Sequence, residues 1–236
     1  KLTPRERRKI GYVSENQKMP DWMTVDQLMR YCRPFYPTWD RDLEARLMRQ
    51  FELPPDRKLG HLSRGMWMKA ALLSSLAYRP KLLVLDEPFS GLDPLVRDEF
   101  IKGTLELSQQ EEWTIFISSH DINEVEQLAD WVGIIDAGRL NLAEPIAKLQ
   151  DRFRRIEITA GGEHLPLGDL PETWLEVERE DNFVRAVESR YSDDRMEEYR
   201  HGRLADMEFT AKPMTLREIF VVLTRVNRVK TGRAAA

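Results

Sequence analysis

Cysteine is almost missing from the 236 residues. Cys32 stands alone, so no internal disulfide can form, and such usage fits a reducing compartment. Long apolar runs are missing too: pieces such as LLVL and IFVVL fall far short of the roughly 20 residues a helix needs to span a bilayer. Any membrane function must therefore come through a partner. The basic start, KLTPRERRKIGYV, lacks the apolar core of a signal peptide. There is no excess of one charge sign either. A net charge of −4 gives no electrostatic footprint for nucleic acid. What remains is 42% hydrophobic and 32% charged, an ordinary composition in a chain long enough for one or two domains with a sizeable core.

The patterning changes along the chain. Ile10, Tyr12 and Val13 suggest a short strand leading to Glu15-Asn16-Gln17. Thr24 and Gln27 match a capping box, and Val25, Leu28, Met29 and Cys32 recur at helical spacing. Pro34 and Pro37 interrupt that helix, and the loop FYPTWD leads to Asp40, an expected N-cap for a helix with Leu43, Leu47, Met48 and Phe51 on one face. A third helix is expected from Ser63 to about Tyr78. Beyond it, strand and helix alternate: Leu82–Leu85, Pro94–Ser108, Trp113–Ser118, Ile122–Ala129, then Trp131–Asp136 and Arg139–Leu140 around a turn at Ala137-Gly138. Such alternation reads as βαβ units with a parallel sheet. After Ile146 the texture shifts to short strands at Ile156–Thr159, Trp174–Glu178, Phe183–Val187 and Met207–Thr210, with a domain boundary expected near 150–155. The charged stretch Tyr191–His201 reads as a solvated loop or exposed helix. Thr215 and Glu218 form another capping box before a last helix, and the RAAA tail is expected to be disordered.

The segment Lys81–Pro94, KLLVLDEPFSGLDP, carries most of the chemistry. Its apolar run reads as a buried strand that stops on Asp86 and Glu87, at the carboxyl end where open α/β sheets bind ligands. Adjacent acids there can divide two jobs, one holding a divalent cation and the next activating a water. A lone Asp-Glu pair would more simply be an acidic turn. The next strand ends on Ser118-Ser119-His120, and a helix opens at Ser63-Arg64-Gly65, where N–H groups and the dipole favour an anion. Each residue also has a plain structural reading. Ser63, Asp93 before Pro94, and Asp121 with Glu124 all suit helix caps. Gln17 alone is a surface glutamine, and His120 alone an edge histidine. Their order and spacing raise them above those readings.

Over Lys9 to Gln150 the chain resembles the ATP-binding subunits of ABC transporters. The matching motifs are a Q-loop at Gln17, a signature at LSRGM, a Walker B segment and D-loop in Lys81–Pro94, and a switch histidine at His120. It looks closest to the branch paired with ABC-2 type exporter permeases, in which a loop like FYPTWD and a signature like LSRGM recur. The resemblance implies an α/β fold: a partial ABC-type nucleotide-binding domain over 1–152, with a parallel sheet and a helical subdomain at about 24–78, followed by a small α+β accessory segment over 153–236. It implies ATP and Mg²⁺ as ligands. Asp86 and Gln17 would serve the metal, Glu87 would be the general base and His120 the switch residue. Ser63, Arg64 and Gly65 would belong to the signature that clamps ATP held by another subunit, and Asp93 to the D-loop. A dimer or paired ATPase subunit, an integral membrane permease and a cytoplasmic place at the inner face of the cell membrane follow from the same likeness. So does a groove for the permease, with Trp22 and Met23 as candidates.

Two features depart from the family pattern. LSRGM has Arg64 and Met66 where LSGGQ has glycine and glutamine. No G-x-x-x-x-G-K-[ST] occurs, and none of the twelve glycines is followed by Lys-Ser or Lys-Thr. The phosphate-cradling loop precedes the Q-loop in the family, and an N-terminal truncation is the expected reason, with little activity for the chain alone. Two rival readings are a soluble ABC ATPase serving DNA repair, chromosome organisation or translation, and a non-catalytic scaffold that kept the fold without the P-loop. Transported substrate is not legible, since in the family the permease selects it.

Overall fold

The computed structural model of the chain describes residues 2–111, 113–160, 170–201 and 207–230; the RAAA tail lies outside them. The chain divides into two compact units, 1–120 and 121–236.

In the first unit a short helix α1 (Pro4–Arg7), capped by Thr3, leads into β1 (Ile10–Ser14). A helical block follows: α2 (Val25–Cys32), a 3₁₀ turn at Arg33–Phe35, α3 (Arg41–Gln50), a second 3₁₀ turn at Leu59–His61 and α4 (Arg64–Leu76). The caps are those the sequence specifies. Thr24 and Gln27 satisfy each other's backbone N–H groups, and Asp40 Oδ1 accepts from the N–H groups of Asp42 and Leu43 at 2.9 Å. Both backbone contacts and the Arg79 guanidinium at 2.8 Å hold the Asp40 carboxyl below its ordinary pKa. Then β2 (Leu82–Asp86), α5 (Pro94–Glu111) and β3 (Thr114–Ser118) complete a parallel sheet of order β1-β2-β3. The α/β class and the parallel sheet are as expected.

Helix α4 is buried almost all round, from Gly65 and Met68 through Ala70–Leu73 to Ser75 and Leu76. It has two kinds of neighbour, the helices α2, α3 and α5 on one hand and β1 on the other. Ser75 Oγ donates to the carbonyl of Tyr12 at 3.1 Å, and the Tyr78 hydroxyl donates to that of Ile10 at 2.8 Å. Burial raises the pKa of that hydroxyl, so it stays a donor. The FYPTWD loop folds against the same end of α4: Tyr36 stacks on Tyr78 with centroids 3.8 Å apart, and Thr38 Oγ1 donates to the Tyr78 carbonyl at 2.7 Å.

The second unit starts with α6 (Ile122–Leu128), capped by Asp121, and an antiparallel hairpin β4 (Trp131–Asp136) and β5 (Arg139–Pro145). Ala137 and Gly138 both have positive φ, the requirement of a tight two-residue hairpin turn. After α7 (Ile146–Arg152) come β6 (Arg154–Ala160), β7 (Trp174–Glu180), β8 (Phe183–Glu188), α8 (Asp193–His201), β9 (Met207–Pro213) and α9 (Leu216–Lys230). The four strands form an antiparallel sheet of order β7-β8-β6-β9. Ile146, Leu149 and Phe153 share a core with Leu216, Ile219 and Val222, against which Ile122, Val125 and Val132 pack. That shared core groups α6 and the hairpin with the C-terminal sheet, so the compact units divide upstream of the change in sequence texture. Helix α7, which the sequence pattern does not show, contributes Ile146 and Leu149 to that core, and α6 also packs directly on α9. Among the described residues no helix is long and apolar enough to cross a membrane.

Candidate functional site

The three parallel strands of the first unit end in register on Ser14, Asp86 and Ser118. Strand alternation points all three the same way, together with Tyr12 two residues earlier on β1. The Asp86 carboxylate gathers their hydroxyls: Ser118 Oγ donates to Oδ1 at 2.7 Å, and Ser14 Oγ and the Tyr12 hydroxyl lie 3.3 and 3.4 Å from Oδ2. Such neutral donors orient a carboxylate without cancelling its charge. Sequence reading marks Asp86 but not Ser14 or Tyr12. The signal that reveals them is strand register, because it sets the hydroxyls that end the two neighbouring strands beside the central strand's last residue.

Glu87 follows at φ 50°, the left-handed region, which a non-glycine residue occupies at a cost of about 1–3 kcal/mol. Its N–H is held on β3, 3.2 Å from the Ser118 carbonyl and 3.1 Å from the Ser118 hydroxyl. The turn throws the side chain off the sheet end, where Oε2 lies 2.7 Å from His120 Nδ1. The glutamate side chain is 30% exposed and the histidine 77%. Asp86, Glu87, Ser118 and His120 are thus one connected group, and the two acids have different surroundings: Asp86 ringed by hydroxyls, Glu87 facing outward against an imidazole.

Gln17 lies just beyond β1, its N–H bonded to the Ser14 carbonyl at 3.0 Å. Its Oε1 is buried without a hydrogen-bond partner, beside a cleft of about 500 Å³ lined by Glu15, Gln17, Lys18, Asp21, Arg64 and Trp67. Among the described residues no group of three His, Cys, Asp or Glu side chains could hold a metal by itself. A magnesium site needs no such group, since Mg²⁺ keeps several waters and takes one or two carboxylates plus phosphate oxygens. One carboxylate at Asp86 and one orphaned amide oxygen at Gln17 are donors of the right chemistry.

Ser63 and Asp93 have their first partners in their own helices. Ser63 Oγ accepts from Met66 N at 3.3 Å, and Asp93 Oδ1 from Val96 N at 3.1 Å. Gly65 is buried, and a Cβ on it would meet Val96 Cγ1 at 2.5 Å, so the missing side chain lets α4 and α5 approach. Val96 is β-branched and stiff at χ1, so it yields poorly. Gly65→Ala is expected to cost about 1–3 kcal/mol by overpacking, and Gly65→Ala with Val96→Ala to recover most of it in urea titrations. A neutral single variant would mean that the contact gives way easily.

Residues 1–90 match the ABC transporter family. The chain is 27% identical over 158 residues to the ABC transporter ATP-binding protein YtrB of Bacillus subtilis (strain 168), covering 67% of this chain and 54% of that one. It is 32% identical over 151 residues to the molybdenum import ATP-binding protein ModC of Rhodobacter capsulatus, covering 63% and 42%. The chain spans about half the length of the curated relatives it matches. A solved ATP-binding subunit of an ABC transporter shares the fold, with a TM-score of 0.55 at 24% identity over 62% of this chain and 63% of that chain. Residues 1–90 thus match the ABC transporter family, and the chain is similar in sequence to ABC transporter ATP-binding proteins and shares the fold of a solved one.

Proposed function

We propose that the chain is part of an ATP-hydrolysing subunit that powers a separate membrane permease. The observation that supports it most is the arrangement at the strand ends, where Asp86 is held by hydroxyls and Glu87 leans on His120 2.7 Å away. Asp86 and Gln17 would hold Mg²⁺, which when bound neutralises charge on phosphate oxygens. Glu87, held clear of the sheet by its left-handed turn, takes a proton from the attacking water. His120 orients the Glu87 carboxylate through Nδ1 and lies at the edge of the same site. Ser63, Arg64, Gly65 and Asp93 would form the surface offered to nucleotide on a second copy or paired ATPase subunit. A cytoplasmic position, peripheral to the membrane, follows from such a partnership.

No G-x-x-x-x-G-K-[ST] lies in these 236 residues, so the phosphate cradle of a working site is proposed to come from outside them. An exporting direction rests on the resemblance of FYPTWD and LSRGM, and a relative named for molybdenum import matches the chain as well.

The test is to express the chain with the reading frames that flank its gene and measure Mg²⁺-dependent phosphate release, beside calorimetric titration of MgATP into the chain alone. Hydrolysis by the assembly and binding weaker than micromolar by the chain are expected. An inert assembly favours the scaffold reading, and micromolar binding by the chain alone overturns the need for an outside cradle.

A further inference from the structure

Arg64 replaces a glycine of the usual signature, and its side chain turns toward two other segments. Its Nη2 lies 3.3 Å from Glu15 Oε1, with both side chains partly exposed. Its guanidinium also lies against Gly91, where a Cβ would meet Arg64 Cζ and Nε at 2.9 Å. Gly91 has φ +67°, so its lack of a side chain serves both the turn and the close approach. Glu15 is anchored in turn, its N–H bonded to the Asp86 carbonyl at 3.0 Å. One guanidinium therefore touches the segment that carries Gln17 and the turn that precedes Asp93, from the helix start that carries Ser63.

We propose that Arg64 is a positioning residue that straps the start of α4 to Glu15 and to the Gly91 turn, so that the segments bearing Gln17, Ser63 and Asp93 keep one arrangement. The planar fork of arginine suits two simultaneous neighbours in a way a lysine does not. The functional weight of the strap rests on the ATPase reading above, but the strap itself does not. A compact LSGGQ-type signature has no side chain to make it. The motif's least typical residue thus holds neighbours within its own subunit while standing in the surface proposed to face a second one.

The measurement is amide hydrogen exchange in the whole 236-residue chain without nucleotide. Gln17 N–H bonds to Ser14 O at 3.0 Å and Leu92 N–H to Phe89 O at 3.2 Å, so these amides report the two strapped segments. Arg64→Gln is expected to speed exchange at both by about twofold to fivefold, the range a partly exposed ion pair supports. Glu15→Gln should also speed Leu92, through release of Arg64. The reversed pair Glu15→Arg with Arg64→Glu should restore Gln17. Unchanged exchange at Leu85, in the central strand, shows in each variant that the fold is intact. If Glu15→Gln leaves Leu92 unmoved, or the reversed pair fails to restore Gln17, the strap is refuted. Neither result bears on whether the assembly hydrolyses ATP, so failure of the strap and failure of the ATPase reading are separable.

Discussion

Glu87→Gln is expected to lower ATP turnover by about 10²–10⁴ in an assembly that contains this chain, the span general-base catalysis supplies. Glutamine keeps the length and planarity of the side chain, and its amide can still meet His120 Nδ1, which lies 2.7 Å from Glu87 Oε2. The left-handed φ of 50° is as costly for one residue as for the other, and the Ser118 contacts that hold it are to the backbone N–H. Stability should therefore change little while chemistry fails, because an amide cannot take a proton from water. ATP binding should survive, so the ATP-bound assembly should accumulate. Phosphate release under saturating MgATP is the measurement. A variant turning over at near wild-type rate would place the base elsewhere and reduce Glu87 to an acidic turn.

The contrast between the two acids was half legible in the sequence. Leu82–Leu85 is a short unbroken apolar run, so the strand and its end could be read, and with them Asp86 and Glu87. The hydroxyls around Asp86 could not, because Ser14 lies 72 positions and Ser118 32 positions from it in sequence, and only register joins them. Caps were legible for the opposite reason: Thr24 with Gln27, Asp40, and Thr215 with Glu218 act within three residues. Helix α7 escaped because its seven residues carry only two buried positions, Ile146 and Leu149, too few to show a period. Arg64 looked like a variation in a phosphate clamp. Its bond to Glu15 depends on how α4 meets the end of β1, which no local pattern encodes.

The same limit applies to Glu44, and there the expected effect is large. Helix α3 has an apolar face legible from Leu43, Leu47, Met48 and Phe51, yet Glu44 is only 6% exposed. It is tolerated because three donors converge on it: Arg33 Nη2 at 2.6 Å and Nε at 3.0 Å, and Trp39 Nε1 at 2.6 Å. The hydrogen bonds that Arg33 donates to Glu44 hold its guanidinium further above its already high pKa. The pair fastens the end of α2 and the FYPTWD loop to α3. Arg33→Ala leaves a buried carboxylate with the indole N–H alone and is expected to destabilise the first unit by about 3–5 kcal/mol. A surface ion pair would lose no more than about 1 kcal/mol, so the size of the loss separates the two cases. Arg33→Met with Glu44→Leu removes both charges and keeps the volume. That double variant should lie close to wild type or above it, because the cost of the single change is the stranded charge rather than a lost attraction. Urea unfolding of the three proteins, followed by Trp39-sensitive fluorescence, gives the comparison. If the double variant is as unstable as Arg33→Ala, the contribution is the specific hydrogen-bond geometry, and the carboxylate's isolation is not the cause.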